Sequence, residues 1–424
     1  MAYALEAIRA RFPSLAIEDD GKPRIYFDNP AGTQVPQSVV DAMSACLIES
    51  NANLSGAFET SKRADAVLAN AHHAMADFLN ARSASEIIFG QNMTTLTLHV
   101  SRSLGRTMQP GDEIIVSRMD HDANISPWLL LAEDLELEVR WLEFDAATFE
   151  FDLEKLAGLL NERTRLVAVG GASNLLGTIN DIETISAMAR DAGALSYIDA
   201  VQLAPHVAID VQKVGCDFLA CSAYKFFGPH QGILYGREEV LSDLTPYKVR
   251  PAPEALPAAF ETGTQSHEGM AGTAAAVDYF AWIGETYATA YHARNADYPG
   301  RRGHIRAALQ YLFDYERDLA ARLIDGLQSL PGVTVQGITD PASFDRRVPT
   351  VAFTATGKSP QAIAEALAGR GIFVWSGHNY ALEVVRSLGL EADGGAVRVG
   401  PVHYNSIAEV DRLLRSLDEV LPAI

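Results

Sequence analysis

Lys225 stands in the run Cys221-Ser-Ala-Tyr-Lys-Phe-Phe-Gly-Pro229, directly after a short apolar stretch. A lysine followed by two aromatics can thread its charge out of a core along its aliphatic stem. Held away from water, the same amine loses its proton more readily and becomes a nucleophile for Schiff-base formation with a carbonyl. Ser222 adds a hydroxyl suited to a phosphate oxygen, and Gly228-Pro229 fixes a turn. One predicted strand earlier, Ile198-Asp-Ala-Val-Gln202 ends an apolar run on the carboxylate of Asp199. Such an acid commonly caps a helix or a turn. It also suits a partner that keeps a pyridine nitrogen protonated, so that the ring can accept electron density from a carbanion.

Two further polar clusters follow predicted strands. Gly90-Gln-Asn-Met-Thr-Thr95 opens an amphipathic helix, where free N–H groups and hydroxyls form either an anion site or a plain cap. Arg118-Met-Asp-His-Asp-Ala-Asn124 carries His121 between two acids, which fits a solvated loop or an imidazole stacked on a flat ring.

The elements that must position these groups alternate. Short apolar runs at Glu86–Phe89, Glu113–Ser117, Leu137–Leu142, Arg165–Val169, Leu195–Ile198, Phe218–Cys221 and Gly232–Tyr235 read as strands. Helical patterns fit between several of them, at Val67–Asn80, Leu153–Leu160 and Ile182–Ala192. That rhythm predicts an α/β fold with a mainly parallel sheet covered on both faces, and ligands beyond the carboxyl ends of its strands. Near residue 245 the pattern changes. Pro246, Pro251, Pro253 and Pro257 mark an irregular segment, followed by a helical region from about Thr273 to Leu330. Strands at Val333–Val335, Thr350–Phe353 and Val397–Val399, with helices at Pro360–Arg370 and Ser406–Leu421, then predict a smaller α+β domain. Leu5, Ile8 and Phe12 recur at helical spacing at the N-terminus.

The bulk properties narrow the function. A chain of 424 residues is too long for one compact core. The division expected is 1–25 as an N-terminal helix packing on the small domain, 26–290 as the large domain and 291–424 as the small one. A net charge of −20 disfavours nucleic acid as a partner. No apolar stretch reaches the roughly 18–20 residues that span a bilayer, so no membrane role is expected. Cys46, Cys216 and Cys221 form neither a metal-spaced cluster nor a disulfide framework. No metal site is expected, and the cytoplasm is the expected compartment.

In this order the clusters resemble the class V aminotransferase family of fold-type I pyridoxal-phosphate enzymes, most closely its cysteine desulfurase-like branch. The resemblance runs from about Tyr26 to the C-terminus through FDNPAGTQVP, MDHDANISPW, ASNLLGTIND, YIDAVQLAPH, SAYKFFGP, FETGTQ, WSGHNYA and VRVGPVHYNS. It implies a large domain with a mainly parallel seven-stranded sheet and a smaller C-terminal α+β domain. It implies pyridoxal 5'-phosphate as cofactor, joined to Lys225, with Asp199 on the pyridine nitrogen and His121 stacked on the ring and moving protons. Asn174 and Gln202 would lie near the ring's phenolic oxygen. The Met93 backbone, Thr94, Ser222 and Tyr224 would hold the phosphate, with Tyr224 standing where desulfurases commonly carry histidine. A homodimer with shared sites is implied, Gly263 and Thr264 reaching the partner's phosphate. Arg398 matches the arginine that takes a substrate α-carboxylate, a task suited to a bidentate fork, with Asn29, Trp375, His378 and Tyr380 on the same substrate side.

The resemblance breaks in the loop Val374-Trp-Ser-Gly-His-Asn-Tyr-Ala381. Desulfurases carry a nucleophilic cysteine there shortly after a Gly-His pair; this chain has Tyr380, and Trp375 replaces a frequent arginine. A phenol cannot accept sulfur as a persulfide. The sequence therefore points to another reaction at the α-carbon of an amino acid bound to the cofactor: C–S or other β-elimination, racemisation, or a carbon–carbon bond-forming cyclisation. A desulfurase or aminotransferase using another thiol and a silent cofactor-binding protein are the alternatives. The two aromatics would suit a larger or cationic substrate than cysteine.

Overall fold

The computed structural model describes residues 3–424. Seven strands form the central sheet, in the spatial order Ile87–Gly90, Gly232–Gly236, Phe218–Ser222, Leu195–Asp199, Thr164–Gly170, Glu113–Ser117 and Glu138–Leu142. Gly232–Gly236 runs antiparallel to both neighbours, and the other pairings are parallel. Runs such as Glu113-Ile-Ile-Val-Ser117 are buried along their whole length because helices cover both faces. Alternate residues serve the two sides. Ile115, Val167, Ile198 and Leu219 join one core with Leu68, Met75 and Phe78 of the helix Glu59–Leu79. Ile114, Leu166, Tyr197 and Phe218 join the opposite core with Leu96, Val100 and Trp128.

The smaller domain is a four-stranded antiparallel sheet, ordered Val333–Gln336, Val351–Ala355, Ala396–Val399, Trp375–Gly377. Its core joins Phe353, Val397 and Val399 to Leu413 and Leu417 of the helix Ile407–Val420.

Three expectations about boundaries need revision. The helical region from Thr273 to Leu330 is three pieces, His267–Thr286, a 3-10 turn Thr289–Asn295, and Arg301–Ser329. Pro299 and Gly300, the latter at φ +59°, break it just before the last piece. The large core does not stop at residue 290, since Ile305, Leu309 and Leu312 of Arg301–Ser329 pack in it while Leu319, Leu323 and Leu327 pack in the small one. The N-terminal helix Leu5–Arg9 lies at the seam rather than on the small domain alone. Ile8 and Phe12 pack in the large core, Phe12 against Phe227 at 5.9 Å and Tyr404 at 4.9 Å, and Arg9 pairs with Glu409 at 3.0 Å. Ile25–Tyr26 likewise pairs with Ile372–Phe373, so the start of the large domain is stitched to the small one. Among the described residues no helix is long and apolar enough to cross a membrane, and no cluster of side chains has the makings of a metal site.

Candidate active site

A cavity of about 450 Å³ opens at the carboxyl ends of the central strands, beneath the small domain. Most of its polar groups arrive immediately after a strand. Lys225 lies in the turn that follows Phe218–Ser222 and is buried, its ammonium donating to the Pro30 carbonyl. Burial and the neighbouring Arg398 outweigh Asp199 and Asp28 and lower its pKa to about 7. Asp199 ends the next strand, its Oδ1 accepting the Val201 N–H at 2.9 Å. Burial raises its pKa to about 6, against that hydrogen bond and Lys225.

His121 follows Glu113–Ser117 and caps a 3-10 turn, its Nδ1 accepting the Ala123 N–H at 3.0 Å. Burial, then Lys225 and Arg398, lower its pKa to about 3, so the ring is neutral with its proton on Nε2. The turn is pinned from behind by the buried Asp120. Its carboxylate accepts from Ser117, from Asn124 Nδ2 at 2.6 Å and from the Gly170 N–H at 2.8 Å. Nothing beyond an acid next to His121 signalled this in the sequence.

At the other end of the cavity, the helix Met93–Gly105 begins at Asn92, whose Oδ1 accepts the Thr95 N–H at 2.8 Å. An Asn three residues before a Thr is the signature that identifies this cap. The N–H groups of the first turn have no carbonyl within the helix and point outward with the positive end of its dipole. Ser222, Tyr224 and Thr94 line the same end. The sheet and the helix start can close only because residue 232 is glycine: a Cβ there would lie 2.3 Å from the Asn92 carbonyl carbon.

The small domain supplies Arg398, buried, donating to the Asn174 carbonyl at 3.0 Å and leaving Nε without a partner. No carboxylate reaches it within salt-bridge range among the described residues. Burial lowers its pKa to about 10, against Asp28 and Tyr224. Asn174 donates to the Asn379 carbonyl at 2.7 Å while its own Oδ1 is buried without a partner. Gln202 also lines the cavity and donates to Thr350 Oγ1 at 2.9 Å.

Trp375, Asn379 and Tyr380 form the mouth. Asn379 was not singled out by sequence, although an Asn just past Gly377 suits the φ of +53° that it adopts. Four expected residues are not brought to the cavity wall. The Asn29 amide is taken up by the Tyr26 carbonyl at 2.9 Å, the Gly400 carbonyl at 2.7 Å and the Tyr404 hydroxyl, so it ties the domains together. Gly263 and Thr264 are exposed on a turn away from this chain's own cavity. His378 is exposed and holds the loop from outside, its Nδ1 accepting the Tyr380 N–H at 3.0 Å.

These residues fit pyridoxal phosphate. A helix start lined by the hydroxyls of Thr94, Ser222 and Tyr224 suits a phosphate, the buried carboxylate of Asp199 suits a protonated pyridine nitrogen, and the buried Asn174 Oδ1, left without a partner, can accept a donor from a ligand.

Comparison with known proteins agrees with this geometry. The chain matches the family model for aminotransferase class-V over residues 25–302 and 305–413. It is 35% identical over 431 residues to an aminotransferase-like protein, FGM3, of Gibberella zeae, covering 99% of each chain. A cysteine desulfurase of Pectobacterium carotovorum is 32% identical over 435 residues, covering 99% of this chain and 98% of its own. Among solved structures, the apo cysteine desulfurase of Thermococcus onnurineus superposes with a TM-score of 0.86 at 29% identity, covering 100% of this chain and 99% of that one.

Proposed function

The chain belongs to the aminotransferase class-V family, whose members depend in general on pyridoxal phosphate, and from that premise we propose an enzyme acting at the α-carbon of an amino acid without a protein persulfide. The observation that carries this reading is a pair of buried basic side chains in one cavity: Lys225, driven toward its neutral amine, and Arg398, without a carboxylate in salt-bridge range. A buried guanidinium with no carboxylate in contact, only Asp28 acting from a distance, is a costly arrangement unless a ligand supplies the anion.

When bound, pyridoxal phosphate supplies a carbonyl that condenses with amines and a ring that withdraws electrons from the attached carbon. Lys225 would hold it and, once freed, carry a proton to or from the α-carbon, a task matched by a pKa of about 7. Asp199 would hold the pyridine proton. His121, neutral at physiological pH, would lie flat against the ring and offer its Nε2–H. Met93 and Thr94 at the helix start, with Ser222 and Tyr224, would bind the phosphate; Asn174 and Gln202 would orient the phenolic oxygen. Arg398 would fix the substrate carboxylate and so select which α-substituent faces Lys225. Gly263 and Thr264, lying outside their own cavity, would serve the site of a second copy.

The cysteines support the absence of a persulfide route. Cys46, Cys216 and Cys221 are all buried and none lines the cavity. Burial pushes the thiols of Cys216 and Cys221 well above the ordinary value, so neither presents a thiolate. The remaining reactions are β-elimination, racemisation and carbon–carbon cyclisation.

One experiment tests the reading. Protein loaded with pyridoxal phosphate is reduced with borohydride and mapped. In parallel, a variant with Cys46, Cys216 and Cys221 replaced by serine or alanine is incubated with a panel of amino acids and its products are identified. The expected result is a label on Lys225 and turnover that survives loss of all three cysteines. A label elsewhere overturns the cofactor assignment. Sulfide release from cysteine that vanishes in the folded, labelled variant returns the chain to the desulfurases. Dilution of the unreduced, cofactor-loaded protein followed by light scattering tests the paired unit, which a monomer of full activity would exclude.

A further inference from the structure

We infer that Trp375 and Tyr380 select an amino acid whose side chain is flat and not acidic, aromatic before aliphatic. The inference rests on the amino-acid reading of the cavity and adds the class of side chain.

Strand register provides the first argument. Trp375 and Arg398 are directly opposed partners on adjacent antiparallel strands. Side chains of opposed partners leave the sheet on the same face with their Cβ atoms about 5 Å apart. A carboxylate bound by Arg398 therefore brings the rest of its amino acid alongside the indole. Tyr380 provides the second. Its ring lies parallel to that of His121, 5.3 Å between centroids at 11°. The wall continuing outward from the reaction centre is thus a flat aromatic surface.

Both large rings are exposed, Trp375 at 50% and Tyr380 at 66%, so neither is there to fill the loop's own core. They are nonetheless held in place. Asn379 and Tyr380 adopt left-handed backbone, φ +53° and +58°, and the Tyr380 carbonyl accepts the Asp122 N–H at 2.8 Å. A pre-set aromatic wall binds a flat group without the cost of ordering itself first.

Charge supplies the exclusion. Of the wall's ionisable groups, Lys225 and Asp199 are driven toward neutral forms and Arg398 donates to the Asn174 carbonyl, and among the described residues no carboxylate or ammonium lines the mouth beside Trp375 and Tyr380. A second carboxylate would meet the electron-rich ring faces with no cation at the mouth to receive it, whereas a substrate cation would be drawn to those faces.

The test measures binding by calorimetry for L-phenylalanine, L-alanine, L-lysine and L-glutamate, on the full chain with and without pyridoxal phosphate. Phenylalanine should bind about tenfold more tightly than alanine, glutamate no better than alanine, and lysine less tightly than phenylalanine. Trp375→Ala and Tyr380→Asn should each reduce the phenylalanine advantage about three- to tenfold. Asparagine tolerates the left-handed backbone at 380, so this variant removes the ring without adding strain. Tyr380→Phe should keep the advantage. A ratio near one in the parent protein, a preference for lysine or glutamate, or an advantage untouched by both ring deletions overturns the inference. Failure of the underlying reading is distinct: all four amino acids then fail to bind, or bind equally to Arg398→Ala.

Discussion

Two buried clusters of ionisable side chains lie in this molecule, and they are built on opposite principles. At the seam between the domains, Glu316 accepts from His206 Nδ1 at 2.7 Å and from the His403 backbone at 2.9 Å, with His403 Nδ1 at 3.6 Å. His403 Nε2 meets the Tyr279 hydroxyl at 2.8 Å, and the Tyr3 hydroxyl donates to the His403 carbonyl at 2.8 Å. Burial pushes the Glu316 carboxyl up, yet the histidines outweigh it and hold it below the ordinary value. In the cavity the balance tips the other way. Lys225, Asp199 and His121 are all driven toward neutral forms, and Arg398 finds only a carbonyl. A network built around a paired carboxylate, with only His403 Nδ1 left buried and without a hydrogen bond, holds the fold together, whereas charged groups left short of partners are poised for a ligand.

The largest test of this contrast is Glu316→Ala. It strips the shared acceptor from the His206 ring and the His403 backbone and should cost about 3–5 kcal/mol of unfolding free energy in urea titrations. A loss below about 1 kcal/mol would remove the contrast. Arg398→Ala should behave inversely. Its fold stability should hold or rise, since an unpaired buried charge is deleted, while amino-acid binding weakens by about 2–5 kcal/mol and the Lys225 label remains. Unchanged amino-acid affinity would remove Arg398 from the substrate site.

The smallest effect is expected at Asp199, and its sign depends on pH. A carboxyl whose folded pKa is about 6 against an ordinary 3.8 favours the fold when protonated and loses that advantage as pH rises through 6. Asp199→Asn should therefore stabilise the cofactor-free protein by on the order of 1–3 kcal/mol above about pH 6. The gain should fade toward pH 3.8, and the variant should bind pyridoxal phosphate less tightly. Thermal melts at two pH values check it, and a gain independent of pH would contradict the assignment.

The two clusters also differ in how far sequence exposes them. The central strands were legible because their mostly apolar runs are short and bounded by polar clusters; the expected Leu195–Ile198 is Leu195–Asp199, and Glu113–Ser117 is unchanged. The cavity groups were legible because each cluster comes straight after such a run. The seam network was not, since His206, Glu316 and His403 come from three distant segments with no shared motif. Asn29 misled for a related reason: its motif lies beside the site, but its amide is claimed by the Tyr26 and Gly400 carbonyls, which only the folded chain brings together. Pro299-Gly300 was a readable stop, passed over because apolar spacing continues on both sides of it.

The helix Arg301–Ser329 has a mechanical consequence. At 29 residues it is a rod of about 43 Å, seated at one end in the large core and at the other in the small one. A swing of the small domain about a flexible linker would have to bend that rod against its own hydrogen-bond ladder. Motion that brings Arg398 and Trp375 toward Lys225 is therefore confined to small sliding of packed faces, shear rather than hinge, with the rod as the rail along which the cavity narrows.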